Sequence, residues 1–511
     1  MSKTVVLVVE LFVLSALVLI TRCANYEDVL VDGKIYFLDA DCYARMSRAR
    51  LVAEHPGTIV RRHDFENFPD GTTPHTTAPL DYLIVALAAA LRPLTTQPLD
   101  LAGAIISPLL ALVGGWFLWW WLGRFSAPGR YAALLVYTFS AILVHGTALG
   151  RPDHQSLLIV LLLVAFAAEW ILAEKPSVGW SLASGLSWGM ALWVSLYEPL
   201  ILLGGLALFS LFSRRSNWTA PSRRFGWFVF LGVVLLAGVI ERRWPEWPGS
   251  QPFFANWAAT IGELKPVGLT NLIWFYWCGG LLLLSPLLLI MARRNQTVSW
   301  TFLGLFVLAF GLTLWEARWG YFFAVIFLLT LPAQIAVVRQ KWIGWAAVVV
   351  VLLPFLIFWD GQFWPNDEAA ASRAEKRIEM AQWRAAASRL ADVTRAPVLT
   401  PWWLAPATAY WSGQPTVAGS SHESLPGIVA STRFYLSTSP GEAEMILRQR
   451  RVQWVLVYDA ERVAENSAAI LDSQAGEEAF CRVLDRFPSQ APRFLALTGQ
   501  NETCRTYQVR K

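Results

Sequence analysis

The sequence predicts a mainly α, polytopic membrane protein of about 11–13 transmembrane helices with a C-terminal, outer-facing α/β soluble domain. Three observations carry this prediction. Of 511 residues, 55% are hydrophobic and only 15% charged, whereas a soluble domain carries roughly 25% charged residues. The apolar residues fall in long runs near the length that crosses a bilayer. Beyond residue 360 those runs stop and a polar pattern of short strands and helices begins.

Residues 4–21 (TVVLVVELFVLSALVLIT) follow a single lysine, Lys3, and no small-residue cleavage site comes after them. They read as a first span rather than a removed leader. Further runs lie at 99–122, 131–149, 156–173, 178–196, 198–212, 225–241, 270–292, 299–315, 319–338 and 342–359. The run at 79–93 is bounded by prolines and is too short to cross at ~1.5 Å per residue, so it is assigned to a helix lying at the interface. With that assignment the loops 123–130, 172–177, 213–224, 292–295 and 338–341 fall on one side, and each carries Arg or Lys. The positive-inside rule makes that side cytoplasmic; Arg242 and Arg243, at the outer end of a span, run against it. The outer face then receives 22–98, the turn at Asp153, 242–269, the turn around Arg318, and the tail. The division is a membrane domain, 1–359, with outer loops 22–98 and 242–269, and an outer domain, 360–511. In a Gram-negative host that face is the periplasm and the membrane the inner one.

In the tail, 367–391 reads as a helix with an acidic start. APVLT, PTVAG and VQWVLVYD read as strands, with helix-like GEAEMILRQRR between them. Cys481 and Cys504 pair in an oxidising compartment or stay as thiols; the sequence leaves both open. The net charge of +5 is dispersed, which argues against a nucleic-acid partner.

Acidic residues mark three outer boundaries: Asp39 and Asp41 after the first span, Asp153 in GRPDHQS, and Glu263 in ATIGELKP. Carboxylates from separate loops on one face can hold a divalent cation through oxygen. Taken singly, such acids are equally well solvated markers of topology. Their surroundings carry more. Asp41-Cys42-Tyr43, Pro69-Asp70-Gly71, Pro79-Leu80-Asp81-Tyr82, Gly150-x-x-Asp153-His154-Gln155, Thr260-Ile261-Gly262-Glu263 and Arg318-Trp319-Gly320-Tyr321-Phe322 follow one another in order. This series resembles the catalytic subunits of oligosaccharyltransferases, membrane enzymes of the C-type glycosyltransferase superfamily.

The resemblance implies transfer of a glycan from a polyprenyl-phosphate-type lipid-linked donor to an acceptor on the outer face. It implies that Asp41, Asp153 and Glu263 bind Mn2+ or Mg2+, with Asp41 and Glu263 also orienting the acceptor nucleophile. Arg318 would face the lipid-linked phosphate, and His154 would support Asp153 or that phosphate. Asp39 is read as a bystander or a support. Trp402-Trp403-Leu404 stands where the family carries Trp-Trp-Asp, the part that grips the hydroxyl of an Asn-x-Ser/Thr acceptor. Leucine accepts no hydrogen bond, so Trp402 and Trp403 border either an altered acceptor site or simply the domain core. The favoured acceptor is then a protein motif of another kind, a lipid or a glycan; asparagine read by another residue, and loss of transfer activity, stay open. Two other readings stay open: a monosaccharide transferase of the same superfamily acting on protein or lipid A, and a non-catalytic transporter or scaffold. A transporter would show ionisable residues within its spans, and here the acids collect at the outer boundaries.

Overall fold

A computed structural model describes residues 3–211, 218, 220–243, 251–338 and 340–510. The basic positions at 213–217 and Arg339 lie outside the described residues. Each of the eleven apolar runs coincides with helical structure. Among the described residues, six helices are long and apolar enough to cross a membrane: Thr4–Arg22, Pro98–Leu122, His154–Glu174, Pro221–Glu241, Ala317–Ala336 and Lys341–Phe363. The run at 79–93 forms the helix Ala78–Leu91, which at 14 residues is too short to span alone.

Two runs are broken, for reasons hydropathy does not register. The run at 131–149 divides at Ser140, which leaves helical geometry and donates its hydroxyl to the Trp277 carbonyl at 2.6 Å. The run at 270–292 breaks at Gly279, whose φ of 80° is left-handed. A Cβ there would lie 2.5 Å from the Val351 carbonyl oxygen, so glycine alone fits.

The chain forms two compact units. The first contains Met1–Glu27, Ala102–Glu241 and Glu263–Asn366. Its helix Gly320–Ala336 is buried nearly all round, as expected of a helix apolar on every face. Small residues let other helices meet closely. A Cβ on Gly185 would stand 2.0 Å from the Gly226 carbonyl oxygen, and one on Gly226 would stand 2.3 Å from that of Ser181. Beside this crossing Arg223 makes a two-pronged pair with Glu169, at 2.8 and 2.5 Å, and Ser184 donates to the same carboxylate at 2.5 Å. Three helices are thereby tied through one buried charge pair.

The second unit contains Asp28–Leu101, Arg242–Gly262 and Asp367–Lys511. A small antiparallel hairpin, β1 (Leu30–Val31) and β2 (Lys34–Ile35), precedes the helix Ala40–Glu54. Further on, β3 (Val398–Leu399), β4 (Trp454–Val457), β5 (Leu495–Gln500) and β6 (Arg505–Val509) form one sheet of order β3-β4-β6-β5. β3 and β4 are parallel and the other pairs antiparallel. The expected strand in PTVAG is reduced to a bridge from Thr416 to Val398. Sequence reading passed over β5 and β6, whose outer positions are largely polar. The core on this sheet gathers Val455, Val457, Phe434, Trp383 and Tyr507. Cys481 and Cys504 are both buried free thiols, and burial pushes each up to about 11.

Candidate functional site

In the first unit a charged network collects at the ends of several helices. Asp153 caps the helix His154–Glu174; its Oδ1 accepts from His154 N at 2.6 Å and faces His154 Nδ1 at 2.6 Å. The turn before it pivots on Gly150, at φ 74°, whose N–H donates to the Ala104 carbonyl at 2.9 Å. This turn presents Arg151. The Arg151 Nη2 donates to Glu263 Oε1 at 2.7 Å and lies 3.9 Å from Asp153 Oδ2. Its Nη1 stands 3.2 Å from His145 Nε2.

Glu263 is further engaged by the Tyr321 hydroxyl at 3.1 Å and by Gln155 Nε2 at 3.4 Å. Tyr321 in turn meets His145 Nδ1 at 2.7 Å. The Ala317 N–H donates to the Lys265 carbonyl at 2.9 Å, which holds the segment of Glu263 beside the turn of Arg318. Arg318 pairs with the buried Glu198 at 3.1 Å, and Glu198 also accepts from Ser195 Oγ at 2.5 Å. Burial pushes the Glu263 carboxyl up, but Arg151, Arg318 and His145 more than offset this, so it rests below the usual carboxylate value.

Asp153, His154, Glu263 and Arg318, far apart in sequence, thus share one neighbourhood. The sequence reading missed Arg151, His145, Gln155, Glu198 and Tyr321. Arg151 lay inside a quoted motif at a variable position, Gln155 and Tyr321 at named positions given no role, and Glu198 was visible as an acid at the start of an apolar run. The carboxylates Asp153 and Glu263 converge on a single positive centre, the Arg151 guanidinium. An all-oxygen donor pair aimed at one positive centre fits a hard divalent cation.

In the second unit Asp41 sits exposed in the first turn of Ala40–Glu54. Asp39 is that helix's N-cap, its carboxylate accepting from Cys42 N at 2.9 Å. The buried face holds Arg45 and Arg48 against Asp81, at 2.8 and 3.6 Å. Burial pushes the nearby Glu66 carboxyl up to about 8, against Arg48 and with Asp41 adding to the rise.

Trp402, Trp403 and Leu404 form one 3-10 turn. Leu404 is buried in the sheet core, with Trp403 packed against it. Trp402 turns to a second cluster with Trp257, Leu425 and Ile428, and its Nε1 donates to Asn466 Oδ1 at 2.8 Å. Leucine at 404 therefore fills a core position.

No sequence-family model matches the chain, and no curated protein matches it by sequence. The fold resembles those of solved oligosaccharyltransferase and ArnT structures. The Archaeoglobus fulgidus oligosaccharyltransferase in complex with an inhibitory peptide and a dolichol-phosphate superposes with a TM-score of 0.69, at 14% identity over 92% of this chain and 71% of that one. The Archaeoglobus fulgidus oligosaccharyltransferase in complex with Zn and sulfate gives 0.65, at 14% identity over 92% and 70%. ArnT from Cupriavidus metallidurans bound to undecaprenyl phosphate gives 0.57, at 13% identity over 99% and 98%. At such identities the likeness is one of fold.

Proposed function

We propose that the chain transfers a glycan from a polyprenyl-phosphate-type lipid-linked donor to an acceptor at the outer face of the membrane, with Mn2+ or Mg2+ as cofactor. The observation that carries this is the meeting of Asp153, Glu263 and Arg318 at helix ends, within a fold shared with two proteins whose structures hold dolichol-phosphate and undecaprenyl phosphate. A donor anchored in lipid must keep its chain in the bilayer while its sugar and phosphate reach water, and residues at span ends serve that geometry.

In the reaction the bond from the sugar's anomeric carbon to the phosphate oxygen breaks. A bond to the acceptor nucleophile forms, and the acceptor gives up a proton. Arg318, with its fixed charge, stabilises the departing lipid phosphate, with His154 beside the same phosphate. Asp41 and Glu263 orient the nucleophile. Asp41, Asp153 and Glu263 would hold the cation, which would supply Lewis acidity toward the phosphate. Trp402 and Trp403 border the acceptor. The core position of Leu404 supports an acceptor other than Asn-x-Ser/Thr, because no carboxylate there receives a hydroxyl.

A second reading is transfer of a single sugar to protein or lipid A. Thr260-Ile261-Gly262-Glu263 favours the first. The test is deletion of the gene, with mass spectrometry of envelope proteins, lipids and lipid-linked glycans. The proposal expects the donor to accumulate and one envelope component to lose a glycan mass, restored by the wild-type gene and not by Glu263→Gln. A lost mass of one sugar selects the second reading. Unchanged profiles sink both.

A further inference from the structure

We infer a separate metal site in the second unit: His75, His422 and Glu423 bind a Zn2+-like cation that clips the first outer loop to the C-terminal domain. It does not depend on the catalytic reading above. The three ligand atoms lie within 4.8 Å of one another. Glu423 Oε1 is 2.8 Å from His75 Nδ1, and Glu423 Oε2 is 3.6 Å from His422 Nδ1. These separations bracket the edge of roughly 3.3–3.4 Å that a tetrahedron with ~2.0–2.1 Å bonds requires. The imidazole rings stand 5.3 Å apart, inclined at 31°.

The surroundings hold the donors in place. Arg243 grips the backbone on both sides of His75, donating to the Pro74 carbonyl and to the Thr76 carbonyl, the latter at 2.8 Å. The His75 N–H donates to Glu423 Oε1 at 2.6 Å. His422 rests edge-on to Phe254, with ring centres 6.4 Å apart. Nearby, Phe68 N donates to the Thr416 carbonyl at 3.1 Å, and Thr416 N donates to the Phe65 carbonyl at 3.0 Å. The loop and the domain are already stitched on one side, and a metal would close the other.

Two imidazoles and one carboxylate suit Zn2+ rather than Mg2+ or Mn2+, which prefer oxygen throughout. Three protein ligands leave the fourth position to water. Binding would replace the direct contact between His75 Nδ1 and Glu423 Oε1.

The test uses the full-length, chelator-washed protein in detergent, titrated with Co2+ as a spectroscopic probe and with Zn2+ as competitor. Tetrahedral nitrogen–oxygen sites give intense visible Co2+ bands, and octahedral oxygen sites give weak ones. We expect one equivalent of Co2+ to give the intense band, Zn2+ to erase it, and His422→Ala and Glu423→Gln to lose it, while Glu263→Gln keeps it. His75→Ala, a change at a partly exposed loop residue, covers the case in which the buried variants do not fold. Zn2+ should raise the thermal midpoint of wild type and leave that of His75→Ala unmoved. No intense band in wild type, or a band that survives in His75→Ala, overturns the inference.

Discussion

Glu263 receives Arg151, Tyr321 and Gln155 at once, so its charge is matched on both oxygens. Glu263→Gln keeps the shape and removes the charge. Transfer should fall by about 100-fold or more, and a wild-type rate in a reconstituted assay would remove Glu263 from the mechanism. Arg318→Met removes the ion-pair partner of the buried Glu198, to which Ser195 still donates. The loss should be on the order of 3 kcal/mol, read as a lower thermal midpoint, because an uncompensated buried charge costs that much. Glu66 gives a pH prediction. Its folded value of about 8 lies above the ordinary 4.5. The folded state therefore holds the proton more tightly, and this stabilisation, complete below 4.5, is lost as pH rises through 8. Melting followed from pH 5 to 9 should show that decline, and Glu66→Gln should flatten it. At this scale Asp153, Glu263 and Arg318 were legible because each sits in a distinctive short motif. Arg151 was not, because a variable position in a motif says nothing about what its side chain will meet.

At the scale of elements, the crossing of Val178–Val194 with Pro221–Glu241 depends on two glycines facing backbone. Gly185→Val must push the helices apart, since a Cβ there meets a carbonyl oxygen at 2.0 Å. We expect a clear drop in thermal midpoint and in folded yield, from steric overlap and from loss of the Arg223–Glu169 alignment. Gly232→Val, in the second of those helices with nothing within 4 Å of its Cβ, should leave both nearly unchanged. Equal effects of the two substitutions would refute the packing argument. The helices were readable as apolar runs. The break at Gly279 was not, because it is imposed by the approach of Val351 from a distant helix. The strands β5 and β6 escaped notice because polar outer faces, and for β5 an edge position, blur the period-2 signal.

For the whole molecule, the proposed chemistry predicts that transfer stops on treatment with a chelator and returns with Mn2+ or Mg2+. Full activity in chelator, in protein shown by elemental analysis to be metal-free, would exclude a cation from the step. The two compact units draw their residues from interleaved stretches of chain. Residues 28–101 and 242–262 belong to the same unit as 367–511, so removing the C-terminal residues takes packing neighbours from both outer segments. No boundary in composition marks this, because residues of one loop are polar wherever their partners lie.

Apolar run length, the asymmetry of basic loops and the polar tail were enough by themselves to determine the fold class. This follows from local composition, and the cost of leaving backbone or charge in hydrocarbon makes composition decisive. Only the tertiary structure decided which of the motif acids share a neighbourhood, that Arg151 stands between Asp153 and Glu263, and that Leu404 faces the core. It alone brought His75 to His422 and Glu423. Such meetings depend on contacts between residues hundreds of positions apart, and no local pattern encodes them.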